Sequence, residues 1–183
     1  MHGEPLRVCL LGAESTGKTT LATALAQRFG TLWNPEYGRP YTEIGRDPAA
    51  PWTSDELTHI ARLQCWYEDF LAPYARGVLF CDTDAFTTAI FHEAYLGAPA
   101  TAFPDLVARR YDGYLVCGLD VPFAHDGIRE FEAVREGMHA RYLDHARTSD
   151  APWLLVEGDE QTRLDAATRF LGDHFPSLAP GPA

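Results

Sequence analysis

The stretch "LLGAESTGKTTLA", residues 10–22, sets the fold. It holds Gly12, four residues, then Gly17, Lys18 and Thr19, the G-x-x-x-x-G-K-[ST] spacing of a phosphate-binding loop. Glycine lets the backbone turn sharply and approach an anion closely. The lysine reaches the β and γ phosphates, the threonine hydroxyl coordinates Mg²⁺, and the following helix aims its positive end at the same charge. Gly12, Ala13, Glu14, Ser15, Thr16, Gly17, Lys18, Thr19 and Thr20 are therefore the candidate nucleotide site, and Lys18 its principal catalytic charge.

The flanks agree with the motif. Residues 6–12 are an apolar run suited to a buried strand, and residues 18–29 read as a helix with Leu21, Leu25 and Phe29 four apart. Outward from this unit, apolar runs alternate with helical patterns. Strands are expected at 31–34, 77–82, 113–119 and 152–158, and helices at 54–74, 85–95, 105–111, 129–146 and beyond Asp159. Thr53 and Glu56 form a capping-box pair, with Trp52 and Leu57 as the hydrophobic staple. Five strands alternating with helices imply an α/β fold, a parallel sheet covered on both faces. Ligands then bind beyond the carboxyl ends of the strands, which singles out Glu36, Asp82, Asp84, Asp120 and Gly158 beside the loop.

Composition narrows the chemistry. The chain has 183 residues, 46% hydrophobic and 22% charged, as expected for one globular domain. A net charge of −11 argues against a general nucleic-acid or anionic-membrane surface, so an anionic ligand must be held locally. No run approaches membrane-spanning length, and no leader is legible at the first apolar run, which places the protein in the cytoplasm. Cys9, Cys65, Cys81 and Cys117 lie in apolar stretches without a C-x-x-C pair, consistent with reduced core thiols. The seven histidines form no i, i+4 pair, so no zinc site is expected. Residues 1–175 read as the domain and 176–183, rich in proline, as a disordered tail. Nothing in the sequence sets an oligomeric state.

Asp82 ends a strand beside the loop, the usual place for a second Mg²⁺ ligand; Asp84 follows it either as a ligand contact or as a helix cap. In "NPEYGRPY", residues 34–41, Glu36 is a candidate to orient or deprotonate an attacking hydroxyl, and Trp33 and Tyr37 to stack on a flat ring. The same segment also reads as a surface loop pinned by tyrosines. Gln64 interrupts an apolar helix face, as a ligand contact or a satisfied core amide. Arg129, in "DVPFAHDGIRE", suits a lid closing over phosphates, or is a solvated loop arginine. No N-K-x-D motif and no glycine-rich protein-kinase signature is present, which argues against those classes.

Taken in order, "GAESTGKTTLATALA", "PEYGR", "FCDTDAFTT" and "DGIRE" resemble the NadR-type nicotinamide riboside kinases, from about Leu6 to Arg129. The resemblance implies a phosphate-loop kinase fold of strand order 2-3-1-4-5. It also implies transfer of the ATP γ-phosphate to the ribose 5′-hydroxyl of nicotinamide riboside, with ATP and Mg²⁺ required. Gly12, Gly17, Lys18 and Thr19 match that family's ATP loop; Glu36, Tyr37 and Arg39 its acceptor block; Asp82 and Asp84 its acidic pair; Arg129 its lid arginine. Bifunctional members carry tryptophan just before the glutamate, where this chain has Pro35, so Trp33 becomes the expected stacking ring. They also carry an adenylyltransferase region before the kinase; this chain begins at the first kinase strand, so kinase activity alone is expected. The rival readings are another nucleoside or nucleotide kinase, or a non-catalytic nucleotide-binding regulator.

Overall fold

The computed structural model describes residues 4–121 and 135–178. Five parallel strands form one sheet in the order β2-β3-β1-β4-β5: β1 Leu6–Leu11, β2 Leu32–Asn34, β3 Val78–Asp82, β4 Gly113–Cys117 and β5 Trp153–Val156. The expected order is thus the observed one. The register places Leu10 beside Asp82 and Leu11 beside Val116, so the end of β1 delivers the loop between the ends of β3 and β4.

Central strands β1, β3 and β4 are almost wholly buried, because parallel strands are covered on both faces. Alternate residues divide between two cores. Val8, Leu10, Phe80 and Leu115 pack with Leu25 and Phe29 of helix α1 (Lys18–Phe29) and Phe170 and Leu171 of α7 (Glu160–His174). Cys9, Leu11, Leu79 and Val116 face the opposite way, toward Ile90 of α4 (Ala85–Leu96) and Met138 and Tyr142 of α6 (Arg135–Thr148). All four cysteines are buried thiols, and burial raises the pKa of each.

Helix α3 (Ser54–Leu71) starts with the expected capping box: Thr53 accepts from Glu56 N–H, and Glu56 accepts from Thr53 N–H at 2.9 Å. It ends three residues before the expected bound. Pro73 cannot supply an N–H to an α-turn, and Ala72–Tyr74 tighten into 3₁₀ geometry. Its buried face includes Glu68, while the neighbouring Tyr67 is 39% exposed. Glu68 is tolerated there because Arg109 lies 2.9 Å away and the Tyr111 hydroxyl donates to it.

Other bounds shift as well. The short helix expected at 105–111 is α5, Pro104–Val107, opened by proline in its first turn. The fourth strand stops at Cys117, two residues before the expected bound. Residues expected as loop contain helix α2 (Gly38–Pro40) and a π-turn, Tyr41–Gly45, where Gly38, Pro40 and Gly45 mask the helical signal. Residues 129–134, expected to open α6, lie outside the described residues. The expected tail begins too early: Leu178 is only 7% exposed and joins the core with Val78 and Phe175. No helix among the described residues is long and apolar enough to cross a membrane.

Candidate active site

Above the carboxyl ends of the strands lies one cavity of about 1360 Å³. A pocket for one drug-sized ligand is roughly 300–1,000 Å³. This volume therefore suits two ligands side by side.

One end is the phosphate loop. Ser15 (φ 58°) and Gly17 (φ 81°) take left-handed backbone, which folds the chain into a nest before α1. Gly12 has no room for a side chain: a Cβ would meet Thr16 Oγ1 at 2.7 Å. The loop carbonyls are turned outward and occupied. Lys18 Nζ donates to Gly12 O and Ala13 O, the Thr16 hydroxyl to Ala13 O, Arg135 to Glu14 O and Arg163 to Thr16 O. That leaves the N–H side of the loop to an anion.

Arg163 was not legible from sequence. It is 4% exposed and joins three segments, donating to Thr16 O, to Gly158 O at 2.9 Å and to Asp120 Oδ1 at 2.5 Å. Asp120 also accepts from Gly158 N–H at 2.6 Å. Burial raises the Asp120 carboxyl, but the Gly158 hydrogen bond and the Arg163 charge outweigh it and hold it below the usual carboxylate range. The ends of β4 and β5 are thereby tied to the loop.

Asp82 closes β3 with 1% exposure, and its Oδ2 accepts from the Thr19 hydroxyl at 2.5 Å. Burial pushes its carboxyl up to about 6, with Lys18 opposing and Glu36 adding to the rise. Its Oδ1 is buried with no hydrogen-bond partner among the described residues. An orphaned carboxylate oxygen beside a threonine hydroxyl is the donor set that nucleotide-bound Mg²⁺ takes from protein, so these residues fit that ion.

Asp84 does something else. Its Oδ1 caps α4, accepting from Thr87 N–H at 2.9 Å and Thr87 Oγ1 at 3.2 Å, and its Oδ2 lies 3.9 Å from His145 Nε2. Like Asp82 it is not among the residues that line the cavity, and the contacts it makes are those of the helix-cap reading. Burial raises its pKa.

The other end of the cavity is the acceptor side of the sequence reading, in part. Glu36 and Arg39 line it; Arg39 pairs with Glu43 at 3.4 Å. Gln64 lines it too, but its amide is engaged: Oε1 accepts from Tyr37 N–H at 2.8 Å, and Nε2 donates to Asp82 O and Thr83 O. Tyr37 packs among Tyr41, His59 and Tyr67 and does not line the cavity. Trp33 does not line it either. On β2 it points to the α1 side and packs against the core, because the strand alternation that puts Asn34 inward under α3 sends Trp33 to the other face.

Other rings line the cavity instead. Trp52 stacks on Tyr95 at 4.9 Å, Tyr95 on Phe91 at 6.0 Å, and the Arg46 guanidinium lies 3.9 Å over Trp52. All four line the cavity. The sequence signal for Trp52 was absorbed by its place as a helix staple. Arg129 lies outside the described residues; Arg135, six positions further on in sequence, donates to Glu14 O of the loop and to Val121 O.

A strand, this loop, an α-helix and an acidic residue closing the neighbouring strand define a phosphate-loop nucleotide-binding protein. The AAA domain family model matches residues 7–163, and the chain belongs to that family. The trifunctional NAD biosynthesis/regulator protein NadR of Escherichia coli (strain K12) is 38% identical over 125 residues, 67% of this chain and 30% of that protein. The structure of a NadR protein in complex with NR has a TM-score of 0.78 at 24% identity, covering 97% of this chain and 53% of that one. Deoxyadenosine kinase from M. mycoides superimposes with a TM-score of 0.62 at 12% identity, over 92% of this chain and 100% of its own. The likeness to NadR read from the sequence is borne out. The chain spans under a third of the length of the curated relative and about half of the solved one.

Proposed function

We propose that the protein transfers the γ-phosphoryl group of Mg·ATP to the ribose 5′-hydroxyl of nicotinamide riboside, giving nicotinamide mononucleotide. The observation that carries this reading is one cavity with Lys18 and Thr19 at one end, Asp82 hydrogen-bonded to Thr19 beneath it, and Glu36 and the Trp52–Tyr95–Phe91 wall at the other. Similarity to NadR, solved with NR in one case and with NAD and AMP-PNP in another, supports the choice of substrates.

In this reading the loop and Lys18 bind the triphosphate and hold the γ-phosphorus in line with the hydroxyl. Thr19 and Asp82 would hold Mg²⁺, which neutralises phosphate charge when bound. Glu36 accepts the proton of the 5′-hydroxyl as its oxygen bonds to the γ-phosphorus and the bond to ADP breaks. No covalent enzyme intermediate is needed.

Charge on the acceptor side separates a nucleoside from a nucleotide acceptor. Arg39 is paired with Glu43 and Arg46 with Glu56 at 3.2 Å, so both arginines are already balanced by carboxylates. A nucleoside monophosphate needs unbalanced cations there. A flat pyridinium cation instead gains from aromatic faces and from Glu36. Incubation with Mg·ATP and nicotinamide riboside, with the product identified by mass, tests the assignment; phosphorylation of uridine or thymidine in preference would replace the acceptor and keep the kinase.

A further inference from the structure

Thr83 stands between the two carboxylates just described, in left-handed backbone at φ 73°. A β-branched residue is a genuine outlier there, while glycine or asparagine enters at far less cost. The turn itself is required: Thr83 N–H donates to Leu10 O at 3.0 Å, and the reversal lets Asp82 meet Thr19 while Asp84 caps α4. The side chain is not required for that turn. Yet Thr83 is 4% exposed, and its hydroxyl oxygen is buried without a hydrogen-bond partner among the described residues. Backbone strain and an orphaned hydroxyl in one residue are together an expense that function explains better than packing does.

We propose that the Thr83 hydroxyl is a specificity contact to a sugar hydroxyl of the nucleoside acceptor. The proposal rests on the nucleoside-kinase reading above and deepens it. Thr83 lines the cavity. Its carbonyl accepts from Gln64 Nε2 at 3.5 Å, and the same amide holds Tyr37 N–H next to Glu36. On its other side Asp82 marks the phosphate end. A nucleoside whose 5′-hydroxyl meets the phosphate and whose ring meets the Trp52 wall places its sugar between them, where Thr83 stands. A sugar hydroxyl both donates and accepts, so it satisfies the threonine in either sense.

The test uses the full chain with Thr83→Val, which keeps shape and loses the hydroxyl, Thr83→Ser, which keeps the hydroxyl, and Thr83→Gly, which relieves the backbone. Initial rates are measured against Mg·ATP, nicotinamide riboside, uridine, thymidine and analogues lacking one sugar hydroxyl. Thr83→Val is expected to raise the nucleoside KM about tenfold with the ATP KM within about twofold. Thr83→Ser is expected to recover most of that loss. Thr83→Gly shares the KM defect while melting at or above the parental temperature. The analogue lacking the contacted hydroxyl is expected to be about tenfold worse for the parent and no worse than its own parent nucleoside for Thr83→Val. An unchanged nucleoside KM in Thr83→Val, or a rise confined to ATP, overturns the proposal. So does a Thr83→Gly protein that melts lower and keeps the parental KM. Failure of the kinase reading shows separately, as no turnover of any nucleoside by the parent, and removes this contact with it.

Discussion

The Thr19 hydroxyl donates to Asp82 across 63 positions of sequence, joining the first turn of α1 to the end of β3. This bond turns two separate motifs into one site, and it leaves the second Asp82 oxygen available to a cation.

Asp82→Asn keeps the shape and removes the charge. Burial raises the folded pKa to about 6 from an ordinary value of 3.8. The sign follows: the raised pKa contributes stability at low pH that is lost as pH rises from about 4 through about 6. The ionised carboxylate at pH 7 then weakens the metal-free fold by up to about 3 kcal/mol. Asp82→Asn is expected to melt a few degrees higher without metal at pH 7.5 and to lose most activity. In the parent enzyme, kcat/KM is expected to fall on the acid side with an apparent pKa near 6, since Asp82 must ionise to hold Mg²⁺. Thermal melts and a pH–rate profile check both.

Lys18→Ala is expected to fold normally, because Lys18 donates to loop carbonyls and fills no core. Its kcat is expected to fall by about 10²–10⁴-fold, the loss typical of a main electrostatic contact to a transition state. A folded variant with near-parental turnover contradicts the loop assignment.

How much was legible follows from which forces are local. The loop and the Thr53–Glu56 box showed in the sequence because each rests on short spacing, and the strand order came with the family resemblance. Arg163 did not: its link to Thr16 spans 147 positions, and no pattern around it predicts that. Which rings reach the cavity was not legible for the same reason. Trp33 lies beside Glu36 in sequence, but strand alternation sends it to the core; Trp52 and Tyr95 are 43 positions apart and meet only when α3 and α4 pack.

Trp52→Ala and Trp33→Ala therefore separate the two readings of the acceptor site. Trp52→Ala is expected to raise the nicotinamide riboside KM about 3–30-fold with little change for ATP, from the loss of one aromatic contact to a cation. Trp33→Ala is expected to lower the melting temperature by several degrees and leave the ratio of the two KM values unchanged. Steady-state kinetics and thermal melts on both proteins decide it, and the reverse pattern returns the ring site to Trp33.

Arg163→Met removes the tie among Thr16, Gly158 and Asp120 while keeping length and apolar bulk. It is expected to raise the ATP KM at least tenfold and to lower the melting temperature, because Thr16 O and Gly158 O lose their donor and the half-exposed Asp120 keeps only Gly158 N–H. Removing Asp120 as well, as Asp120→Asn, is expected to recover part of the stability. An unaltered ATP KM in Arg163→Met would show that the loop keeps its shape unaided.

The most direct measurement is ATP consumption by the purified chain with Mg²⁺, in the presence and absence of nicotinamide riboside, with the phosphorylated product identified by mass. The expected result is slow ATP loss alone, a large stimulation by nicotinamide riboside, formation of nicotinamide mononucleotide in equal amount to ADP, and no stimulation with Lys18→Ala. ATP consumption that nicotinamide riboside leaves unchanged, with no mononucleotide formed, contradicts the proposed function.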